Sequence, residues 1–204
     1  MAGNGFRPIG IVGGGYTGEL MAFPILKNYG TSIFYGDPVS QAADGTIVRV
    51  DAVAEGDAGD TVGVFMGCQY TDASGSQTWS QYYPASQNVD GIVAYVAGTD
   101  PMTRYKVKWL DGSGGDSTLE IDEAIGMSFD IDTTASALAG STVTGNSTMG
   151  LDAATTGVVT APWRVISLLN ETEGPTSWTA STEFTHAIVI VNPLLHAYTN
   201  TTGI

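Results

Sequence analysis

Alternation of polar and apolar residues is clearest between residues 104 and 109, which read RYKVKW. Successive side chains of a β-strand point to opposite faces, so Tyr105, Val107 and Trp109 would share one face. The other face would carry a row of three basic residues, Arg104, Lys106 and Lys108. The pattern predicts a half-buried strand with a basic outer side.

The basic row holds three of the seven Lys and Arg residues in the chain. Its simplest interpretation is a solvated face, or a guard on an edge strand. The functional alternative is a docking stripe between subunits, which would bind an acidic partner such as a neighbouring copy of this protein.

Residues 33–70 contain two further strand patterns. Residues 46–50 (TIVRV) follow Asp44-Gly45, and residues 61–70 (TVGVFMGCQY) follow a loop rich in Gly, Asp and Ala. Residues 36–38 (GDP) have the composition of a turn. Two runs joined in this way predict a hairpin or meander.

Short apolar runs bounded by turn residues continue to the C-terminus, for example at residues 92–96, 163–169 and 187–191. They predict an all-β fold, an antiparallel barrel or sandwich with few or no helices. Residues 133–148 have the composition of a linker, which places a soft boundary near residue 140. We therefore predict an N-terminal arm over 1–32, a β domain over 33–140, and a C-terminal β-rich unit over 141–204 that is separate or completes the same barrel.

Residues 1–32 are apolar and rich in glycine, and they do not form a self-contained pattern. We expect an extended arm that lies along a partner, and that deletion of residues 1–30 leaves the β fold intact. The candidate contact residues of this arm are Phe6, Arg7, Pro8, Ile9, Ile11, Val12, Tyr16, Leu20 and Phe23.

Three glycines of the arm, Gly13, Gly15 and Gly18, match the dinucleotide-binding pattern G-x-G-x-x-G. That chemistry needs a helix whose N-terminus faces the pyrophosphate. Pro24 falls six residues after Gly18 and would break such a helix. The glycines therefore favour a flexible arm over a nucleotide site.

Charge changes the functional picture. The chain has 21 acidic and 7 basic residues, a net charge of −14. Affinity for phosphates comes from Lys and Arg, so we expect neither nucleic acid nor an anionic membrane as partner. Residues 1–10 lack the apolar run of a signal peptide, so we expect a soluble chain that is made in the cytoplasm of the producing cell and carries no export signal.

Candidate chemistry is sparse. One cysteine and two histidines do not supply a typical metal site or catalytic triad. Cys68 is interpreted as a buried small hydrophobe. The acidic stretch 111–132 matches no EF-hand spacing and is interpreted as solvated loops. We predict no enzymatic activity, cofactor or metal, although a carboxylate pair for glycoside hydrolysis stays open.

Four segments together resemble the head decoration (cement) proteins of podovirus-like and marine tailed phages. They are residues 33–39 (IFYGDPV), 63–70 (GVFMGCQY), 80–84 (SQYYP) and 94–96 (AYV). The order of GDPV, strand and GVF-G is also similar to small phage cement proteins with a β-tulip core. The resemblance covers about residues 30–110.

The resemblance implies a trimeric virion protein on the outer capsid surface, which straps neighbouring major capsid subunits together. Alternatives are a head fibre or another virion protein, or a carbohydrate-binding β-sandwich. The last would expose several aromatic residues as a flat stacking surface, namely Trp79, Tyr82, Tyr83, Trp109 and Trp178.

Overall fold

The computed structural model describes residues 5–50, 61–72, 74–154, 161–169, 184–193, 195–196 and 198. Within these residues, β-strands dominate and the two helices are single turns, α1 (Ile121–Ala124) and α2 (Ala135–Leu138). The strands are, in chain order, β1 (Arg7–Ile11), β2 (Gly14–Gly15), β3 (Leu20–Pro24), β4 (Pro38–Gln41), β5 (Ile47–Arg49), β6 (Thr61–Thr71), β7 (Gln77–Ser80), β8 (Val93–Ala97), β9 (Thr103–Leu110), β10 (Ser128–Phe129), β11 (Leu151–Asp152), β12 (Trp163–Leu169) and β13 (His186–Val191).

These strands form two sheets. The first has the order β10-β12-β13-β9-β1-β2, and β11 pairs with β9 in parallel at one end. The second has the order β3-β8-β6-β4-β5, with β7 also paired to β6. Every pair other than β11 with β9 is antiparallel.

The first hydrophobic core joins the two sheets. Side chains from β9, β12 and β13 meet Val64 of the second sheet there, and Phe6 stacks on Trp163 with ring centroids 4.2 Å apart. The second core lies on the other face of the second sheet, where Phe65 and Cys68 pack against loop residues such as Ile33 and Tyr83. The prediction of an all-β fold is confirmed as a sandwich, with no closed barrel among the described residues.

The predicted strands over 46–50, 61–70 and 104–109 are confirmed as β5, β6 and β9. The prediction that the first two pair as a hairpin is wrong, because β4 lies between β5 and β6 and pairs with both. Alternation in β9 is as expected, because Tyr105, Val107 and Trp109 are completely or almost completely buried. The acidic stretch interpreted as loops includes the helical turn α1.

The N-terminal residues are part of the sandwich. Strand β1 pairs with β9 in the first sheet, and β3 pairs with β8 in the second. Deletion of residues 1–30 would remove β1, β2 and β3 together with the buried Phe6. The expectation that this deletion leaves the fold intact is therefore wrong.

Strands from all three predicted segments share the first sheet, because β1, β9 and β13 are adjacent in it. The segment boundaries near residues 32 and 140 stay predictions about independent folding.

Candidate functional site

The N-terminal segment connects the outer edges of the two sheets. Strand β1 turns into β2 through Val12 and Gly13, and Gly13 has φ of 91°, a left-handed conformation that glycine adopts without strain. Strand β2 is the last strand of the first sheet, and the chain then crosses to β3, the last strand of the second. One short segment therefore forms the same-side edge of both sheets.

The structure separates the predicted arm residues into two groups. Phe6 and Phe23 belong to the first and second cores, so they hold the segment in place and are not contact residues. The other group is exposed or half-buried: Arg7, Pro8, Ile9, Ile11, Val12, Tyr16 and Leu20. Among these, the apolar side chains of Ile9, Val12 and Leu20 are 41%, 52% and 40% exposed. Exposed apolar residues within one short segment make it a candidate binding surface.

A pocket of about 190 Å³ lies between this segment and the loop that joins β8 to β9. Its lining includes Ile11, Tyr16, Glu19, Gly98, Asp100 and Thr103. Tyr16 donates a hydrogen bond of 3.0 Å to the Glu19 carbonyl, and Val12 N donates one of 2.9 Å to Met102 O. The first bond lies within the N-terminal segment, and the second joins it to the loop between β8 and β9. The volume is below the roughly 300–1,000 Å³ of sites for drug-sized ligands.

The predicted basic row lies beside the N-terminal strand. Lys106 is directly opposite Arg7 of β1, and Gly10 of β1 is opposite Arg104. On the far side, Arg164 of β12 is opposite Ile190, whose face is shared with the basic row. The outer face of the first sheet, which we call the basic face, thus carries five of the seven basic residues: Arg7, Arg104, Lys106, Lys108 and Arg164.

Several groups of the basic face have local partners. Lys108 Nζ lies 2.5 Å from Asp116 Oδ1, and Arg104 Nη2 donates to Gly14 O at 3.2 Å. Partial burial, with the charge of Arg7 adding to it, lowers the pKa of Lys106. Burial also lowers the pKa of His186, which is opposite Lys108, to about 4, and the two nearby lysines contribute. The face is positive in a chain that is otherwise strongly acidic.

The aromatic residues of the carbohydrate alternative are divided by the structure. Tyr83 and Trp109 are completely buried, and Tyr82 is half-buried against Phe34, with ring centroids 5.4 Å apart. Trp79 is 60% exposed. Trp178 lies outside the described residues.

The glycine pattern at residues 13–18 lies in the β1–β2 hairpin and the crossing that follows. The next regular element is strand β3, so the described residues contain no helix at the place where a dinucleotide fold needs one. A nucleotide site at these glycines is therefore unsupported, because the helix that would face the pyrophosphate is not found there in the described residues.

The remaining candidate residues, Cys68 and the aspartates of the acidic stretch, make structural contacts. Cys68 is completely buried in the second core, as predicted, and burial raises the pKa of its thiol to about 12. In the acidic stretch, Asp111 Oδ1 accepts hydrogen bonds from the backbone of Ser113 and Gly115. Among the described residues, no group of three or more His, Cys, Asp or Glu side chains is placed to hold a metal ion.

Sequence reasoning did not place three residues beside its predicted surfaces, although it had named Arg7 as an arm residue. Arg7 and Arg164 complete the basic face, and Tyr95 lies beside Trp79. Each of these contacts is made between strands, and the pattern within a single strand does not show which strands are neighbours.

No helix in the described parts of the chain combines the length and the apolar character needed to cross a membrane. Comparisons of the chain with protein-family models, curated proteins and solved structures give no match.

Proposed function

We propose that this chain is a non-enzymatic virion protein that decorates the outer surface of a tailed-phage head. It joins neighbouring major capsid subunits and so stabilises the head against the pressure of packaged DNA. The resemblance of residues 33–39 and 63–70 to cement proteins supports the proposal. So does the sandwich fold, which provides a rigid body with sheet edges for binding.

The observation that carries the proposal is the exposed apolar segment between the two sheet edges. Its side chains include Ile9, Val12, Leu20 and Met21, each at least 40% exposed. Both ends of the segment are anchored, by Phe6 in one core and Phe23 in the other. An anchored apolar edge binds a partner without the large ordering cost of a disordered arm.

The backbone of this segment offers a second mode of contact. Strands β2 and β3 are the last strands of their sheets in the described part of the chain. The outer backbone groups of an edge strand pair readily with a strand from another chain. A capsid loop added to β3 would extend the second sheet and place its side chains against Leu20 and Met21.

Self-association belongs to the same proposal. Apart from the five basic residues of the basic face, the chain has 21 acidic and 2 basic residues, a balance of −19, and of these acids Asp116 pairs with Lys108 at the basic face. The basic face of one copy is therefore complementary to other surfaces of a second copy and repels a second basic face. This favours a head-to-tail contact, which closes into a ring such as a trimer. A trimer binding several capsid subunits at once gains strength from multivalency.

The test is binding of variants to phage heads that lack the decoration protein. The double variant Val12→Asp, Leu20→Asp puts two charges into the exposed apolar segment, and we expect at least about a tenfold weaker affinity. Val143→Asp is the matched control, because Val143 is 93% exposed and lies in the turn before Asn146. Circular dichroism checks that each variant is folded. Equal binding of the double variant and the control would refute this surface as the capsid contact.

A further inference from the structure

Trp79 is exposed in a way that the proposed capsid contact does not use. It lies on β7, and 60% of its surface is open to solvent. The other two tryptophans in the described residues, Trp109 and Trp163, are completely buried. Burying a large exposed aromatic side chain against a ligand would be favourable, so Trp79 is a candidate binding residue.

The ring of Trp79 is held on one side by the second sheet. Trp79 is paired with Gln69 of β6, and its ring reaches across β6 to Tyr95 of β8, with ring centroids 4.7 Å apart. Gly67, which has φ of 128°, lies beside the ring. A Cβ atom there would be in ordinary van der Waals contact with Trp79 Cζ2, at 3.8 Å, and closer to Ser80 O, at 3.1 Å.

The polar atoms beside the ring are also fixed. Tyr95 Oη lies 3.1 Å from Gln69 Oε1, and the hydroxyl donates to the amide oxygen. The side-chain carbonyl of Gln69 accepts this bond, and the NH₂ group of the same amide can donate hydrogen bonds to a ligand. We call Trp79, Tyr95 and Gln69 the aromatic platform.

We propose that the aromatic platform binds a neutral saccharide, stacked on the indole ring of Trp79. A pyranose ring has an apolar face of C–H groups that packs on a flat aromatic ring, and hydroxyl groups at its rim that hydrogen-bond to an amide or a phenol. The platform supplies both, and none of its three side chains is charged. The net charge of −14 disfavours an acidic saccharide.

The surroundings favour a sugar over a protein partner. The hairpin that leads into β7 exposes Ser74, Gly75, Ser76 and Gln77. Protein hot spots are enclosed by neighbouring contacts that exclude water, and this polar hairpin does not provide them. The platform borders the segment proposed to contact the capsid, because Tyr95 is opposite Ala22 of β3, so head binding is measured separately from saccharide binding.

The test is titration of the full chain with four neutral trisaccharides, maltotriose, cellotriose, mannotriose and chitotriose, each to about 10 mM. That range detects dissociation constants up to about 1 mM. Trigalacturonic acid is the acidic comparison. Intrinsic tryptophan fluorescence reports on Trp79, because a sugar stacked on an exposed indole changes its emission, and calorimetry gives an independent affinity.

We expect at least one neutral trisaccharide to bind. Trp79→Ala should weaken that binding about tenfold or more, and Tyr95→Phe should weaken it less, since only the hydroxyl is lost. Tyr198→Ala is the matched control. Tyr198 is 50% exposed but lies near His196, which bridges to Thr61 at the opposite end of β6.

Three results would overturn the inference. They are no binding of any neutral trisaccharide, equal affinity of Trp79→Ala and Tyr198→Ala, and binding of trigalacturonic acid as tight as that of the neutral sugars. The variants are also tested for head binding. Loss of head binding in Trp79→Ala without saccharide binding by the unmodified chain would assign the platform to a protein interface instead.

Discussion

Replacing Phe6 by alanine tests whether the start of the chain is part of the sandwich. Phe6 is completely buried, and its ring stacks on Trp163 at 4.2 Å between centroids. Its backbone N–H donates a 2.8 Å hydrogen bond to Gly36 O, so the residue is held between the loop before β4 and strand β12 of the same chain. An N-terminal arm that docks only on a partner would have none of these contacts.

The magnitude follows from these contacts. Phe→Ala in a packed core costs about 3–5 kcal/mol, which includes the lost transfer free energy and the cavity. The tilted stacking on Trp163 places Phe6 within this range and not below it. For a chain of this length each kcal/mol lowers the melting temperature by about 2–4 °C, so we expect a decrease of about 6–20 °C.

The assay is urea unfolding of the unmodified chain, Phe6→Ala and Val12→Ala, followed by tryptophan fluorescence and circular dichroism. Val12 is the control, because it is six residues away and 52% exposed, and its replacement should change stability by less than about 0.5 kcal/mol. A loss below about 1 kcal/mol for Phe6→Ala, with an unchanged slope of the transition, would refute the placement of Phe6 in the core.

Three further predictions concern single groups. Burial and neighbouring lysines lower the pKa of His186 to about 4, so between about pH 6.5 and 4 the unfolded chain binds more protons than the folded one, and stability falls as pH falls. His186→Gln should therefore make the urea midpoint depend less on pH. An unchanged pH dependence would contradict the lowered pKa. The pKa of the Cys68 thiol is raised to about 12, so iodoacetamide at pH 8 should label the native protein at least about a hundredfold more slowly than the urea-unfolded chain, whereas equal rates would mean an accessible thiol. Charge reversal by Lys106→Glu should weaken salt-sensitive self-association in sedimentation experiments more than Lys27→Glu does, because Lys27 lies off the basic face and pairs with Asp90; equal effects would argue against the basic face as the subunit contact.

The local patterns that predicted strands correctly are those in which one face is buried and the other is polar. In β9 the buried Tyr105 and Val107 alternate with lysines, and this period of two depends only on adjacent residues. Long-range contacts are different. Arg49 Nη1 donates hydrogen bonds to Ser32 O and Leu138 O, which are 17 and 89 residues away in the chain. No periodicity contains such contacts.

Composition misled where small residues pack tightly. Residues 133–148 have the composition of a linker, but Ser147 is completely buried and a Cβ at Gly140 would overlap the ring of Phe34. Glycine and serine allow two segments of the chain to approach closely here. Flexible linkers contain the same residue types, so composition does not distinguish a linker from a close contact. The N-terminal segment shows the same ambiguity, because its glycine content predicted an arm and the structure has a strand at the edge of each sheet.

The sequence predicted only part of each candidate surface, because local alternation is visible in it and the order of strands is not. Arg104, Lys106 and Lys108 follow from the alternation of one strand, whereas the addition of Arg7 and Arg164 depends on the order of strands in the first sheet. The exposed indole of Trp79 could not be distinguished from a core residue, because exposure is decided by what the opposite sheet covers.

The most direct test of the proposed function is sedimentation of the purified chain with expanded phage heads that lack their decoration protein. Decorated heads are the control, since their sites are already filled. Saturable binding to the undecorated heads, at a fixed ratio to the major capsid protein, is the predicted result, and the ratio would identify the symmetry position. Absence of binding to both undecorated and decorated heads would contradict the proposal.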